Sequence, residues 1–359
     1  TSPTTPGAPM SDSGRDTVER LLAEREVLLV CGPGGVGKTT TAASLAVRAA
    51  STGRRVLAIT VDPARRLADA LGLDGDGRVD LPGGGTLESI MVDTRDGWDD
   101  LVRRLSPDEA SAEALIADPL YRNLTDRFAR SHDYLALEAV YERHLSGDYD
   151  LIVVDTPPAR HALDVIDAPD RMREFFASRL ARLLTSPGRS RLAALASRGF
   201  DLVADVVLGA RFLRDITTFF DLFIALEPEF VRRAGGVERL LRSDRTAFIA
   251  VTTPEPNPMR ETREFATELA ARRHTLDLVV ANRAPMPVAV DELIDGLDKL
   301  DAQRRESIRV VADRLARSAD TRRTRLTGLA LDTPVLEVPE SSIEPVTVDA
   351  LAELSGTWR

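Results

Sequence analysis

The sequence predicts an α/β fold, a doubly wound and mostly parallel sheet with an α-helical subdomain inserted into it. Three observations predict this fold. Short apolar runs rich in β-branched residues recur along the 359 residues at intervals too long for a β-meander. Stretches with helical periodicity fill most of those intervals, and a glycine-rich turn follows the first run.

Seven apolar runs predict the strands of the sheet. Several are almost continuously hydrophobic, as expected for parallel strands that are covered on both faces. In chain order they are residues 26–30, 55–61, 89–92, 150–155, 247–252, 276–281 and 334–338.

Two intervals are too long for simple crossover helices and predict the inserted helical subdomain, from about 98–146 and 169–241. Their helix-like segments are residues 135–145, 171–184, 189–208 and 210–226. Eight of the eleven phenylalanines lie between Phe175 and Phe230. These apolar faces either pack on one another or form an exposed groove for an apolar protein client.

Composition excludes several classes of protein. The net charge of −10 and the pI near 5.1 argue against a general affinity for nucleic acid or anionic membranes. A single cysteine, Cys31, excludes an intramolecular disulfide and a multi-cysteine metal site. No apolar run approaches the ~18 residues of a membrane-spanning helix. We therefore expect a cytoplasmic protein with no membrane span.

The chain divides at its N-terminus into a tail and a folded domain. Residues 1–16 are rich in Ser, Thr, Pro and Gly and predict a disordered segment. Residues 17–359 are expected to form one domain that includes the helical subdomain.

A phosphate-binding loop follows the first strand. Its residues match G-x-x-x-x-G-K-[ST] in full and are Gly32, Pro33, Gly34, Gly35, Val36, Gly37, Lys38, Thr39 and Thr40. Glycines let successive backbone N–H groups face one anion, and the helix predicted from Lys38 to Ala50 points its positive end at it. Lys38 should reach the β- and γ-phosphates and Thr39 should ligate Mg²⁺. The motif predicts a P-loop NTPase.

A second interpretation of the same glycines is a dinucleotide site. Gly32, Gly34 and Gly37 also form G-x-G-x-x-G, and Asp62 ends the second strand, where a Rossmann fold binds ribose. The Lys38–Thr39 pair and the acidic strand ends favour a triphosphate with a metal instead.

Two strands end in aspartate. Asp155 follows four apolar residues, the Walker-B pattern of a carboxylate that holds Mg²⁺ directly or through water; the alternative is a loop cap. Asp62 emerges at the same edge of the sheet. It could orient the attacking water, or cap a helix over 64–71, and spacing alone does not separate these roles.

Together these stretches resemble a known family, the arsenical-pump and tail-anchored-protein-targeting ATPases, which are dimeric P-loop ATPases with deviant Walker motifs. The chain resembles an actinobacterial member that lacks the signature lysine. The likeness is spread over most of the chain, and it lies in residues 32–40, Asp62-Pro63-Ala64 with Leu67 and Asp69, residues 155–161, Ala281-Asn282-Arg283 and residues 334–339.

The resemblance implies roles at matched positions. Asp62 falls on switch I, where the family's aspartate positions the hydrolytic water. Asn282 falls on the adenine-reading asparagine, and Pro339 falls in the loop that covers the base. Switch II, which relays the nucleotide state to the helical subdomain, includes Thr156, Pro157, Arg160 and His161. Members of the family close as dimers around ATP and open after hydrolysis.

The chain departs from the family at its cysteines and at one lysine. The usual lysine after the first glycine, which crosses the dimer to the partner's phosphates, is Pro33 here. The zinc-binding Cys-x-x-Cys pair and the arsenite-binding cysteines cannot exist with one cysteine, so we expect no zinc and no arsenite stimulation. Candidates for the missing cation are Arg65, Arg66 and Arg160, or a lysine from a paralogous subunit.

The predicted function is Mg²⁺-dependent ATP binding and slow, dimer-dependent hydrolysis, coupled through the two switches to movement of the helical subdomain. The partner would be a second copy or a paralogous ATPase. The alternative is an ATP-sensing, weakly or non-hydrolysing regulatory subunit of a heteromeric complex with a paralogue.

Overall fold

A computed structural model describes most of the chain. The described residues are 14–60, 67, 71, 77–92, 97–122, 132–177, 219, 222–286, 290, 301–341 and 347–358.

Eight strands form one sheet in the order β3-β4-β2-β5-β1-β6-β7-β8. All neighbours are parallel except β3 and β4. The sheet confirms the predicted α/β class. The strands are β1 (Val27–Cys31), β2 (Arg55–Thr60), β3 (Gly77–Asp80), β4 (Thr86–Met91), β5 (Leu151–Asp155), β6 (Thr246–Thr252), β7 (Leu276–Ala284) and β8 (Val335–Pro339).

The predicted strands recur with shifted ends, and one strand was missed. β4 begins at Thr86, three residues before the predicted run, and β7 continues to Ala284. The missed strand is β3, an edge strand of four residues antiparallel to β4. It is short and has no buried residue, so it carries no apolar run from which a strand could be predicted.

Ten helices lie within the described residues. They are α1 (Gly14–Glu24), α2 (Lys38–Ser51), α3 (Gly97–Leu105), α4 (Glu109–Ala117), α5 (His132–Ser146), α6 (Ala159–Ala177), α7 (Glu227–Leu241), α8 (Pro256–Ala271), α9 (Ala302–Thr327) and α10 (Val348–Gly356).

The start of α1 corrects the predicted disordered segment. Gly14 to Asp16 are helical, and residues 1–13 lie outside the described part of the chain. Gly14 is buried against β8, where an added Cβ would lie 2.1 Å from the Val335 carbonyl oxygen. Val18 and Leu21 join the core of the sheet one and two turns later. Packing of this first turn therefore overrides a composition typical of a tail.

The described chain forms two compact units. The first unit comprises Thr1–Met91, Arg143–Leu163 and Arg242–Arg359 and contains the sheet. Its core lies between the sheet and its helices, because β1, β2, β5 and β6 bury nearly every residue. Helix α2 packs its alanine-rich face on this sheet and buries Ala42, Ala43 and Ala46 completely.

The second unit comprises Val92–Glu142 and Asp164–Leu241, and all of its described elements are helical. Aromatic rings form its core, with the ring centroids of Tyr134 and Phe230 4.9 Å apart. Phe219 is 3% exposed and Phe230 is also 3% exposed, so these two phenylalanines pack inward.

Parts of the predicted helical subdomain remain predictions. Residues 178–218 lie outside the described residues, so the helix predicted over 189–208 is not placed. Helix α6 begins at Ala159, twelve residues before the predicted helix start at Arg171, and it runs through Pro169. A proline inside a helix removes one backbone hydrogen bond, and Val165 and Ile166, which lie one turn before Pro169, are buried.

Candidate functional site

The phosphate loop joins the carboxyl end of β1 to the start of α2. Three of its glycines have positive φ angles, 148° at Gly32, 77° at Gly35 and 94° at Gly37. A Cβ on Gly32 would lie 2.2 Å from the Val251 carbonyl oxygen of β6, so no larger residue fits there. A Cβ on Gly34 or Gly35 would meet nothing within 4 Å, which leaves open space beside this part of the loop.

Lys38 is the first residue of α2 and is 4% exposed. Its Nζ atom donates a hydrogen bond of 2.9 Å to the carbonyl oxygen of Pro33, across the loop. Gly37, the N-cap of α2, offers no side-chain cap, so no side-chain cap competes for the first N–H groups of the helix. The loop thus places an ammonium group and a helix N-terminus side by side, the arrangement that binds phosphates.

Asp155 ends β5, the strand next to β1, and is 1% exposed. The Thr39 hydroxyl donates to its Oδ2 atom at 2.7 Å, which links residues 116 positions apart. The hydroxyl of Thr156 donates to the Val30 carbonyl oxygen at 2.9 Å and ties the strand end to β1. The structure therefore brings together the two residues predicted to hold Mg²⁺.

Asn282 lies in β7 and contacts the phosphate loop directly. Its Nδ2 atom donates to the carbonyl oxygen of Val36 at 2.8 Å, and a Cβ on Gly37 would lie 2.2 Å from this nitrogen. Pro339 ends β8 and pairs with Ala284 of β7. Both predicted base-binding residues thus lie at the carboxyl edge of the sheet, where open α/β sheets bind ligands.

The anion-transporting ATPase family matches this chain over residues 25–314. The chain belongs to the anion-transporting ATPase family. This match confirms the resemblance inferred from the phosphate loop and the acidic strand ends.

Curated relatives agree with this membership of the anion-transporting ATPase family. An uncharacterized protein of Streptomyces coelicolor is 32% identical over 275 residues, which cover 75% of this chain and 65% of that protein. A protein named ATPase GET3 from Chaetomium globosum is 26% identical, over 77% of this chain and 78% of its own length. A protein named ATPase ARSA2 from Chlamydomonas reinhardtii is 28% identical, over 82% of this chain and 76% of its own length. Members of the family are ATPases.

Several predicted residues of this family member are not placed. Asp62, Arg65 and Arg66 lie outside the described residues. Arg160 and His161 fall in the first turn of α6, but only their backbone is described. The roles predicted for all five residues stay predictions.

Cys31 ends β1 directly before the phosphate loop and is completely buried. Burial raises the pKa of its thiol to about 12. The thiol therefore stays protonated and inert, as expected for a small core residue.

One residue beside Asn282 has no counterpart among the predicted site residues. Arg322 of α9 donates from Nη2 to the carbonyl oxygen of Arg283 at 2.8 Å. No sequence signal marks it, because it is one arginine in a chain with 47 basic residues of which only two, Lys38 and Lys299, are lysines.

None of the helices within the described ranges is both long and apolar enough to cross a membrane.

Proposed function

We propose that this chain binds ATP with Mg²⁺ at the phosphate loop and hydrolyses it slowly as part of a cytoplasmic dimer. The observation that carries the proposal is the 2.7 Å hydrogen bond from the Thr39 hydroxyl to Asp155. It joins the loop that would bind phosphates to the strand end that would bind the metal. Membership of the anion-transporting ATPase family supports the same reading.

The residues present fit Mg²⁺. Thr39 and Asp155 offer hard oxygen atoms, and Mg²⁺ in nucleotide sites takes one or two carboxylates, phosphate oxygens and water. Within the described part of the chain, His, Cys, Asp and Glu side chains form no group of three or more that could hold a metal. A site completed by nucleotide and water needs no such group. When bound, the ion would neutralise charge on the β- and γ-phosphates.

The chain's own groups would position the triphosphate. Lys38 already points its ammonium group across the loop, toward the carbonyl oxygen of Pro33. Its charge and the N-terminus of α2 would stabilise the phosphate oxygens. Hydrolysis then requires a water molecule to attack the γ-phosphorus while the bond to the bridging oxygen of ADP breaks. By resemblance, we assign the orientation of that water to Asp62.

The proposed coupling of the nucleotide state to the helical subdomain runs through switch II. Thr156 and Pro157 follow Asp155 directly, and α6 begins at Ala159. A shift of Asp155 toward a bound ion would displace this short segment and, with it, the start of α6. Such order and position changes at the γ-phosphate are the usual switch of P-loop proteins. An apolar protein client of the subdomain is part of this proposal.

A second candidate function follows from Pro33. The family's lysine is absent at this position, so a second identical chain would bring no lysine to the phosphates. The chain would then be an ATP-sensing subunit that hydrolyses weakly, and a paralogue carrying the lysine would restore turnover. Arg65, Arg66 and Arg160 are the alternative sources of charge within this chain.

Replacement of Lys38 tests the proposal. We expect Lys38→Ala to weaken Mg-ATP binding about 10- to 100-fold, because hydrogen bonds to a charged group contribute ~1.5–3 kcal/mol. Lys299→Ala removes the chain's only other lysine and should leave affinity unchanged. Isothermal titration calorimetry measures the ATP affinity of both variants, and a phosphate-release assay measures their turnover. Equal ATP affinity in wild type and Lys38→Ala would overturn the proposed site.

A further inference from the structure

The phosphate loop is supported from outside by the side chain of Asn282. Both ends of its amide are engaged: Nδ2 donates to the Val36 carbonyl oxygen at 2.8 Å, and Oδ1 accepts from the backbone N–H of Arg283 at 2.9 Å. A rotated amide would set oxygen against oxygen at Val36, so the network defines its orientation. The contact joins residues 246 positions apart.

This contact determines the direction of one N–H group of the loop. The Val36 carbonyl and the Gly37 N–H belong to one planar trans peptide and point in opposite directions. Because Asn282 binds the Val36 carbonyl oxygen, the Gly37 N–H of the same peptide points away from Asn282. Gly37 has a φ of 94° and, as a glycine, rotates at little cost unless something holds it.

A backbone irregularity in β7 presents Asn282 to the loop. The register between β7 and β8 shifts between Asn282 and Ala284, and Arg283 between them has a φ of 55°. The left-handed conformation is unfavourable for a residue with a Cβ, so neighbouring groups must hold it. Bulges of this kind redirect side chains beside functional sites.

Arg322 of α9 holds the bulge. It donates from Nη2 to the Arg283 carbonyl oxygen at 2.8 Å. The same guanidinium lies 3.7 Å from Glu255 and 3.3 Å from Glu340. Glu255 and Glu340 follow β6 and β8, and Arg283 is the penultimate residue of β7, so one side chain joins the carboxyl ends of three neighbouring strands.

We propose that Asn282, held by Arg322 through the Arg283 bulge, keeps the phosphate loop in its anion-binding conformation whether or not a base is present. This proposal rests on the proposed ATP site and extends it. Asn282 is a positioning residue for the phosphates in addition to the base contact that the family resemblance implies. Arg322 is a second positioning residue, which would act on the loop through the Arg283 carbonyl oxygen.

A ligand without a base separates these roles. Isothermal titration with inorganic tripolyphosphate and Mg²⁺, and with Mg-ATP, would be run on the full chain, on Asn282→Ala and on Arg322→Ala. We expect both variants to bind tripolyphosphate about 3- to 10-fold more weakly, the effect of one lost hydrogen bond. Arg323→Ala is the matched control, because Arg323 is the adjacent arginine, is 46% exposed and pairs only loosely with Glu337 at 3.7 Å. It should stay within about twofold of wild type.

The titrations also separate positioning from loss of fold. An irreversibly unfolded fraction lowers the stoichiometry and leaves the dissociation constant unchanged, and a reversibly unfolded fraction is detected by unfolding each variant without ligand. Arg322→Lys keeps one charge and one donor and should restore part of the affinity. Tripolyphosphate affinity within twofold of wild type in Asn282→Ala, with ATP affinity reduced, would overturn the proposal and leave a base-reading role alone. A wild-type chain that binds neither ligand would overturn the ATP site itself.

Discussion

Single residues at the carboxyl edge of the sheet would carry most of the proposed chemistry. Lys38, Thr39 and Asp155 come from two elements, and hydrogen bonds of 2.9 and 2.7 Å already hold them in place. Lys38 is one of only two lysines in the chain. An ammonium group is more compact than a planar guanidinium, which suits a position inside the curled backbone of the loop.

At the residue scale, Asp62 gives a sharp prediction. Asp62→Asn removes the charge that would orient the attacking water but keeps the size of the side chain. We expect turnover of ATP to be lost while Mg-ATP still binds with an affinity close to wild type. Single-turnover assays and titration calorimetry measure the two quantities. Unchanged turnover would rule out Asp62 as the residue that positions water.

At the scale of elements, a buried ion pair joins α5 to α7 in the second unit. Glu138 is 1% exposed and accepts a hydrogen bond from Nε of Arg233, which is 13% exposed. The guanidinium also lies 5.6 Å from the centre of the Tyr141 ring. Burial raises the pKa of Glu138, and the charge of Arg233 opposes that rise. The Tyr134 hydroxyl also donates to this carboxylate at 3.4 Å, so Glu138 is a buried acid held by side chains of both helices.

Removal of this partner should destabilise the second unit in a pH-dependent way. Arg233→Met leaves Glu138 buried without its cation, which costs about 3 kcal/mol in such pairs. The pKa of Glu138 is higher in the folded than in the unfolded protein, so the folded protein binds more protons between these two pKa values. The free energy of unfolding therefore falls as pH rises from the unfolded-state pKa through the folded-state pKa. The substitution raises this pKa further, so the loss should be larger near pH 8 than near pH 5.5.

Thermal and urea unfolding at the two pH values measure this effect. Arg232→Met is the matched control, because Arg232 is 62% exposed and pairs with Glu229 within one helical turn. Its cost should be small beside that of Arg233→Met and equal at both pH values, because solvent screens an exposed ion pair. A loss in Arg233→Met that is equal at both pH values would contradict the role given to Glu138.

At the scale of the whole molecule, Pro33 bears on how the chain would assemble. Pro33 stands where the family's lysine crosses to a partner, so any dimer of this chain would close with a different set of charges around ATP. If ATP binds the closed dimer more tightly than the monomer, ATP that is not hydrolysed shifts the equilibrium toward the dimer.

The mass of the Asp62→Asn variant in Mg-ATP tests this assembly. We expect light scattering to report about twice the chain mass with Mg-ATP and the monomer mass without nucleotide. Lys38→Ala, which binds ATP poorly, should remain monomeric under both conditions. A mass that does not change with nucleotide in Asp62→Asn would contradict nucleotide-driven dimerisation.

Local sequence patterns were enough to predict the fold class, the phosphate loop and its pairing with Asp155. These follow from local patterns, since apolar runs, glycine spacing and a charged strand end are each written within a few consecutive residues. The start of α1 at Gly14 and the edge strand β3 were not predicted, for the opposite reason. Neither has a local signal, and both exist because neighbouring strands bury or pair with them.

The contact between Asn282 and the phosphate loop could not be predicted from local patterns. Its contact with Val36 depends on strand order, on a register shift beside β8 and on the left-handed backbone of Arg283. The choice of Arg322 among many arginines depends on α9 reaching the ends of three strands. Contacts between residues far apart in the chain arise from packing geometry, which local spacing does not encode.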